Sequence, residues 1–165
     1  MSESRGAHGD GLLSTDLVEA DRPVPAEYAA LAAALDGAVD GEVRFDEYAQ
    51  ILYATDGSIY QARPAGVVFP TSVEDVQAAV RTAAAHDVPV LPRGSGSSLA
   101  GQAVGPGCVV LDFTKHMDDL LDVDPGAQRA TVQPGVVQDH LEARLEEYGL
   151  KFAPDPASSG RSTVG

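Results

Sequence analysis

A short apolar segment that opens into a glycine- and serine-rich loop constrains this chain most. Residues 88–91 read VPVL, and residues 93–101 then read RGSGSSLAG. Glycine has no Cβ, so its backbone can approach a ligand closely, while successive N–H groups and small hydroxyls can bind an anion. Arg93 could donate charge-assisted hydrogen bonds to the same anion. We predict a strand followed by an anion-binding loop; a tight linker is the alternative when the loop is considered alone.

A strand–helix–strand pattern precedes this loop. Residues 67–69 read VVF and are followed by Pro70, and residues 73–87 predict a helix. Thr71 and Glu74 have the spacing of a capping box. The predicted buried face of the helix consists of Val73, Val76, Val80 and Ala84. Short connections favour a right-handed parallel unit, and such units bind ligands beyond the carboxyl ends of their strands, where the loop begins.

The pattern changes after residue 107. Strands are predicted at residues 108–113, 120–123 and 129–133, and their close connections favour antiparallel pairing. A helix over residues 136–148 should end at Gly149 in the left-handed conformation. A short strand at residues 150–153 then leads into a second loop, PDPASSGRSTVG. The predicted class is α+β, with a small parallel βαβ subdomain followed by an antiparallel sheet with helices.

The N-terminal third is predicted to be peripheral. Residues 1–21 are polar and glycine-rich and indicate a flexible arm. Residues 22–53 should contain two helices, at 26–35 and 45–53, which we interpret as a cap rather than as part of a site. The stripe expected to be buried on the second helix is Phe45, Tyr48, Ala49 and Leu52. Residues 54–165 would form the main domain. In the loop at residues 54–66, with which this domain begins, turn chemistry is favoured for Asp56, Ser58, Tyr60 and Arg63.

Charge disfavours two classes of partner. The net charge is −14, from 25 acidic and 11 basic residues, and Lys115 and Lys151 are the only lysines. Such a surface repels the phosphates of nucleic acids and anionic lipids. High acidity with few lysines favours a halophilic protein, because salt screens its self-repulsion.

Location and metal chemistry follow from what the sequence does not contain. The N-terminus lacks the apolar core of a signal peptide and the apolar runs are too short to span a membrane, which predicts a cytoplasmic protein and leaves peripheral membrane docking open. Cys108 lies among valines and should be a buried apolar residue. His86, His116 and His140 are not at metal-ligand spacing, so no metal is expected.

Two nucleotide motifs fail in the first loop. A dinucleotide fingerprint would need glycine where the chain has Leu99, and a Walker loop would need lysine where it has Gln102. Phosphoryl transfer is therefore disfavoured. What favours a binding site is the combination of the two loops, since both follow predicted strands.

The combined motifs resemble a known family. They are PTSVEDV at 70–76, the first loop with Pro92, VVLDF at 109–113 with Met117, VQPGV at 132–136, and PDP with TVG in the second loop. Over residues 56–165 the chain resembles the FAD-binding domain of the vanillyl-alcohol oxidase and p-cresol methylhydroxylase (PCMH-type) superfamily. It is most similar to the branch of glycolate oxidase and the D-lactate and D-2-hydroxyglutarate dehydrogenases.

The resemblance implies a set of FAD-binding residues and a non-covalent flavin. Members with a histidyl-linked flavin carry histidine in the first loop, where this chain has Ser97 and Ser98. The first loop would bind the diphosphate, and the second would lie against the flavin and the diphosphate. The implied cofactor-binding residues are Arg93, Gly94, Ser95, Gly96, Ser97, Ser98, Gly101, Pro154, Asp155, Ser158, Thr163 and Gly165.

The implied reaction is oxidation of a 2-hydroxy acid by hydride transfer to flavin, with an iron-sulfur domain or another electron acceptor as partner. In the family, a substrate domain follows and carries the catalytic base, so the resemblance implies a chain cut within its FAD domain and assigns no catalytic residue. The alternative is a non-catalytic binding module, for instance a half-domain that pairs with a separate partner.

Overall fold

A computed structural model describes residues 23–165, so the arm predicted at residues 1–21 lies outside the described residues. Within these residues, two short 3-10 helices occupy Ala26–Tyr28 and Glu146–Tyr148. The helices are α1 (Ala29–Asp36), α2 (Glu47–Leu52), α3 (Val73–Ala85) and α4 (Gln138–Leu145). The strands are β1 (Glu42–Arg44), β2 (Gly66–Phe69), β3 (Val90–Arg93), β4 (Val109–Asp112), β5 (Leu120–Asp124) and β6 (Arg129–Val132).

The main sheet has the order β1-β2-β4-β3. Strands β2 and β3 both run parallel to β4, which lies between them, and β1 is antiparallel to β2. The prediction that residues 108–113 begin the antiparallel sheet is therefore wrong. All four residues of β4 are buried, and a strand that is covered on both faces belongs in the centre of a parallel sheet.

The second sheet is the antiparallel hairpin of β5 and β6, which confirms the strands predicted at 120–123 and 129–133. The strand predicted at residues 150–153 is wrong, since these residues form no strand. Leu150 and Phe152 instead pack against the apolar cluster of α4. The mixed α+β class is confirmed.

Helix α3 is shorter than predicted by two residues and presents a different face to the core. The buried residues are Asp75, Ala79 and Ala83, whereas Val73 and Val80 are 58% and 43% exposed. Of the predicted face, Val76 is partly buried and packs against the core. The cap is also one residue later than predicted, because Ser72 accepts the N–H of Asp75. Small alanines on this face permit the close contact between α3 and α1.

The carboxylate of Asp75 joins two chain segments. It accepts the N–H groups of Asp40 at 2.8 Å, of Gly41 at 3.1 Å and of Thr71 at 2.8 Å, and also the Thr71 hydroxyl at 2.8 Å. Burial by itself would raise the pKa of this carboxyl, but these hydrogen bonds to its charged form outweigh burial and lower the pKa. The start of α3 is thereby tied to the turn before β1.

Both predicted N-terminal helices are present, and α1 ends at Gly37 as expected. Strand β1 was not predicted. Phe45 and Ala49 are buried, but Tyr48 and Leu52 are largely exposed, so half of the stripe predicted for α2 is wrong. Within residues 23–165 no helix is both long and apolar enough to cross a membrane.

Candidate functional site

Two loops meet beyond the carboxyl end of β3. The first loop is residues 93–101 and the second loop is residues 154–165. Between them lies a cavity of about 360 Å³, which we call the loop cavity. Nine of the predicted site residues line it, namely Arg93, Gly94, Ser95, Gly96, Ser97, Ser98, Ser158, Thr163 and Gly165.

The other three predicted residues are not among those lining the loop cavity. Gly101 has a φ of +78° and lies against the ring of Tyr60. The carbonyl of Pro154 accepts a hydrogen bond of 2.6 Å from the Gln138 side chain. Pro154 therefore anchors the second loop to α4, and Asp155 follows it outside the cavity.

Direct contacts hold the two loops together. An added Cβ on Gly94 would lie 1.8 Å from Thr163 Oγ1. The hydroxyl of Ser95 donates to the carbonyl of Arg161. The second loop is in turn fixed to the start of α4, where Gln138 N–H donates to the Ser162 carbonyl at 2.9 Å. Only glycine at position 94 permits this approach of the loops.

The first loop offers donors that the described part of the protein does not use. Among the hydrogen bonds of residues 23–165, none has the N–H of Gly94, Ser95, Gly96, Ser97 or Ser98 as its donor. Gly96 has a φ of +69°, a left-handed conformation that lets the chain turn around an anion. Small side chains and free N–H groups beside a cavity fit a diphosphate group.

Arg93 is held differently from the other predicted ligands. Its two Nη groups donate to backbone carbonyls, to Ala103 at 2.7 Å and to Thr55 at 2.9 Å. Its guanidinium lies over the ring of Tyr53, 5.1 Å from the ring centroid.

Sequence reasoning missed several residues at this site. Gln102 and Ser162 also line the loop cavity, and Tyr53, which was assigned to the cap, lines an adjoining cavity of about 570 Å³ together with Arg93. Tyr53 donates its hydroxyl to Asp112 Oδ2 at 2.5 Å. Burial, with this bond to Asp112, raises the pKa of Tyr53 well above its usual range, so the hydroxyl stays a donor. In the sequence, the position of Asp112 at the end of a predicted strand could have indicated that it lies near the site, because ligands bind beyond the carboxyl ends of parallel strands.

The loop between α2 and β2 shows the turn chemistry that was predicted. Asp56 accepts the N–H of Ser58 at 2.8 Å, and its other oxygen accepts the N–H of Ala103 at 3.2 Å. Hydrogen bonds from Ser58, more than any other cause, lower the pKa of Asp56. The Arg63 side chain forms a surface ion pair with Glu47, and its carbonyl accepts the N–H of Gly107 at 2.8 Å.

Cys108 is buried, as predicted. Among residues 23–165, no group of three or more His, Cys, Asp or Glu side chains could hold a metal ion.

Comparison with known proteins identifies the class. Residues 64–165 match the family model described as FAD binding domain. The chain therefore belongs to the FAD-binding domain family, and the predicted cofactor, FAD, is confirmed.

Similar curated proteins place it more closely within that class. The chain is 38% identical over 129 residues to D-2-hydroxyglutarate dehydrogenase of Pseudomonas putida, and the aligned region covers 76% of this chain and 13% of that protein. It is 36% identical over 131 residues to the glycolate oxidase subunit GlcD of Bacillus subtilis, covering 77% of this chain and 28% of the subunit. The chain thus spans well under a third of the length of either relative.

Solved structures agree on the fold. The 4-ethylphenol oxidase of Gulosibacter chungangensis superposes with a TM-score of 0.71 at 27% identity, over 86% of this chain and 28% of that one. For p-cresol methylhydroxylase the TM-score is 0.70 at 23% identity, over 84% and 28% of the two chains. The resemblance to the PCMH-type superfamily is confirmed.

Proposed function

We propose that this chain is the FAD-binding part of a flavin-dependent oxidoreductase that oxidises a 2-hydroxy acid. The observation that carries the proposal is the loop cavity, where five consecutive N–H groups of the first loop are free of partners within the described residues. The family supplies the cofactor that such a cavity would hold.

Each loop has its own task in this proposal. The N–H groups of residues 94–98 bind the diphosphate, and the hydroxyls of Ser97 and Ser98 add further donors. Ser158, Thr163 and Gly165 close the cavity from the second loop. FAD, once bound, supplies the hydride acceptor for the reaction. The protein contributes position and a set of dipoles oriented in advance.

We also propose that the flavin is held non-covalently. The first loop contains no histidine, and Ser97 and Ser98, which line the loop cavity, occupy the loop where members with a histidyl-linked flavin carry that residue. A serine hydroxyl does not form that linkage. Denaturation in acid should release all flavin into the supernatant, and flavin that stays with the precipitated protein would contradict this part of the proposal.

The substrate class rests on the named relatives. Those relatives include D-2-hydroxyglutarate dehydrogenases and glycolate oxidase subunits, which together suggest a 2-hydroxy acid. D-2-hydroxyglutarate, glycolate and D-lactate are the candidates. Oxidation of such a donor needs an electron acceptor downstream, for which an iron-sulfur domain or a quinone is proposed.

FAD binding can be tested on the 165-residue chain by NMR, which also detects weak binding. Titration with FAD should shift the amide signals of residues 94–98 and of Ser158 and Thr163 saturably. Riboflavin, which lacks the diphosphate, should leave the signals of residues 94–98 unchanged. If millimolar FAD moves none of these signals in the folded protein, the loop cavity is not the cofactor site.

Glycine variants provide the matched comparison. Gly94→Val and Gly96→Val should abolish the FAD-induced shifts, because a side chain at either position collides with Thr163 or Arg93. Gly37→Ala is the control, since its Cβ would lie at an ordinary distance of 3.5 Å from the Ala33 carbonyl, at the end of α1. Retention of FAD binding by both valine variants would remove the first loop from the site.

The substrate class can be tested on the flavin-loaded polypeptide that carries this sequence, isolated from its native cells. Anaerobic addition of D-2-hydroxyglutarate, glycolate or D-lactate should bleach the absorption band of the oxidised flavin. At least one of the three acids should reduce the flavin faster than L-lactate and L-2-hydroxyglutarate do. A flavin that none of them reduces would refute the substrate class and leave FAD binding intact.

A further inference from the structure

The guanidinium of Arg93 lies where the first loop turns back on itself. One Nη donates to the carbonyl of Thr55, in the loop after α2, and the other to the carbonyl of Ala103, just past the end of the first loop. A planar guanidinium can donate to two carbonyls at fixed angles, which a lysine ammonium cannot reproduce. Arg93 therefore joins both ends of the first loop to a neighbouring segment.

The face of the guanidinium is covered as well. It lies 5.1 Å from the centroid of the Tyr53 ring, a cation–π distance. Tyr53 is itself fixed, because Asp112 accepts its hydroxyl, and the other oxygen of Asp112 accepts the N–H of Thr114 at 2.8 Å. The ring thus forms a rigid support for Arg93 at the ends of β3 and β4.

The backbone of the first loop passes directly over the same guanidinium. An added Cβ on Gly96 would lie 2.5 Å from Arg93 Nη2, so the glycine is in close contact with the side chain. The carbonyl of Gly96 accepts the N–H of Gly57 at 2.8 Å. The left-handed turn that frees the N–H groups of the first loop is therefore built around Arg93.

We infer that Arg93 is a positioning residue that holds the first loop in its anion-binding shape, with Tyr53 as its support, and that it is not itself a diphosphate ligand. This inference rests on the proposed function of the first loop. The carbonyls of Thr55 and Ala103 each accept one N–H of the guanidinium and fix its position, so Arg93 could swing its side chain towards a diphosphate only by breaking bonds that shape the site. The Arg93 charge still favours an anion nearby, but the contacts with the anion come from the backbone.

Arg93→Lys separates charge from shape, because it keeps the cation and loses the two-carbonyl contact. In the ligand-free protein, NMR order parameters of residues 94–98 should be about 0.85 in the wild type and fall below about 0.6 in the variant. Exchange protection of the Gly57 N–H should fall with them. Tyr53→Phe keeps the ring and loses only the bond to Asp112. Its order parameters for residues 94–98 should therefore lie between those of the wild type and those of Arg93→Lys. Arg129→Lys and Tyr148→Phe, on β6 and after α4, are the controls.

Inorganic pyrophosphate then distinguishes a positioning residue from a ligand. In the wild type it should shift the amide signals of residues 94–98 and leave the Arg93 Nε–H signal in place, and Arg93→Lys should weaken its binding about tenfold. A shift of the Arg93 side-chain signal, or a first loop that stays ordered in Arg93→Lys, would overturn the inference. If pyrophosphate moves no amide of residues 94–98, the proposed function fails, while the ligand-free order parameters still decide the role of Arg93.

Discussion

The contact between Gly94 and Thr163 offers the sharpest test of how the two loops meet. A Cβ at position 94 would lie 1.8 Å from Thr163 Oγ1, 2.9 Å from its Cβ and 3.1 Å from its Cγ2. Because one of these atoms is a Cβ, rotation of the threonine side chain cannot relieve the overlap. Overpacking of this kind costs about 3 kcal/mol, so Gly94→Ala should lower the free energy of unfolding by that amount.

Thr163→Gly removes all three of these atoms. By itself it should cost about 2 kcal/mol, because it loses the hydrogen bond from Thr163 Oγ1 to the Gly165 carbonyl and adds backbone freedom. In that background Gly94→Ala should cost less than about 1 kcal/mol. The double-mutant cycle should therefore give a coupling of about 2 kcal/mol in favour of the double variant.

Urea denaturation followed by circular dichroism, without ligand, measures each corner of the cycle. Gly37→Ala is again the control and should change stability by less than about 1 kcal/mol. Additivity of the two substitutions within about 0.5 kcal/mol would show that the loops do not touch in solution. That result would refute the loop cavity as a structural unit.

Three further outcomes are expected. Asp75→Asn should cost about 2–4 kcal/mol at neutral pH, because an amide group would face backbone N–H donors. Urea denaturation measures the difference in free energy of unfolding between the wild type and Asp75→Asn. Since the folded-state pKa of Asp75 is lowered, this difference should persist above about pH 4 and disappear as the pH falls through the folded-state pKa. Cys108 is 3% exposed, and burial raises the pKa of its thiol. A thiol reagent should therefore label it only as the protein unfolds, and rapid labelling in native buffer would contradict its burial. Molar potassium chloride should raise the urea midpoint of this chain, which has a net charge of −14, and an unchanged midpoint would refute the halophilic prediction.

The sequence determined the features that depend on neighbouring residues. The strand before the first loop, the end of α1 at Gly37 and the hairpin of β5 and β6 all follow from local pattern. So does the left-handed Gly149, although it ends the 3-10 helix that follows α4 and not α4 itself. The two glycine-rich loops were also visible, because their function requires small residues in a row. The motifs in combination were enough to indicate the family and its cofactor.

Tertiary structure decided the order of the strands and the use of the polar side chains. Pattern alone did not place β4 between β2 and β3, since the apolar run of a central parallel strand also fits other positions. Nor could it show that alanines rather than valines form the buried face of α3, because the close contact with α1 makes that choice. The partners of Arg93 lie 38 and 10 residues away along the chain, and only folding brings them together.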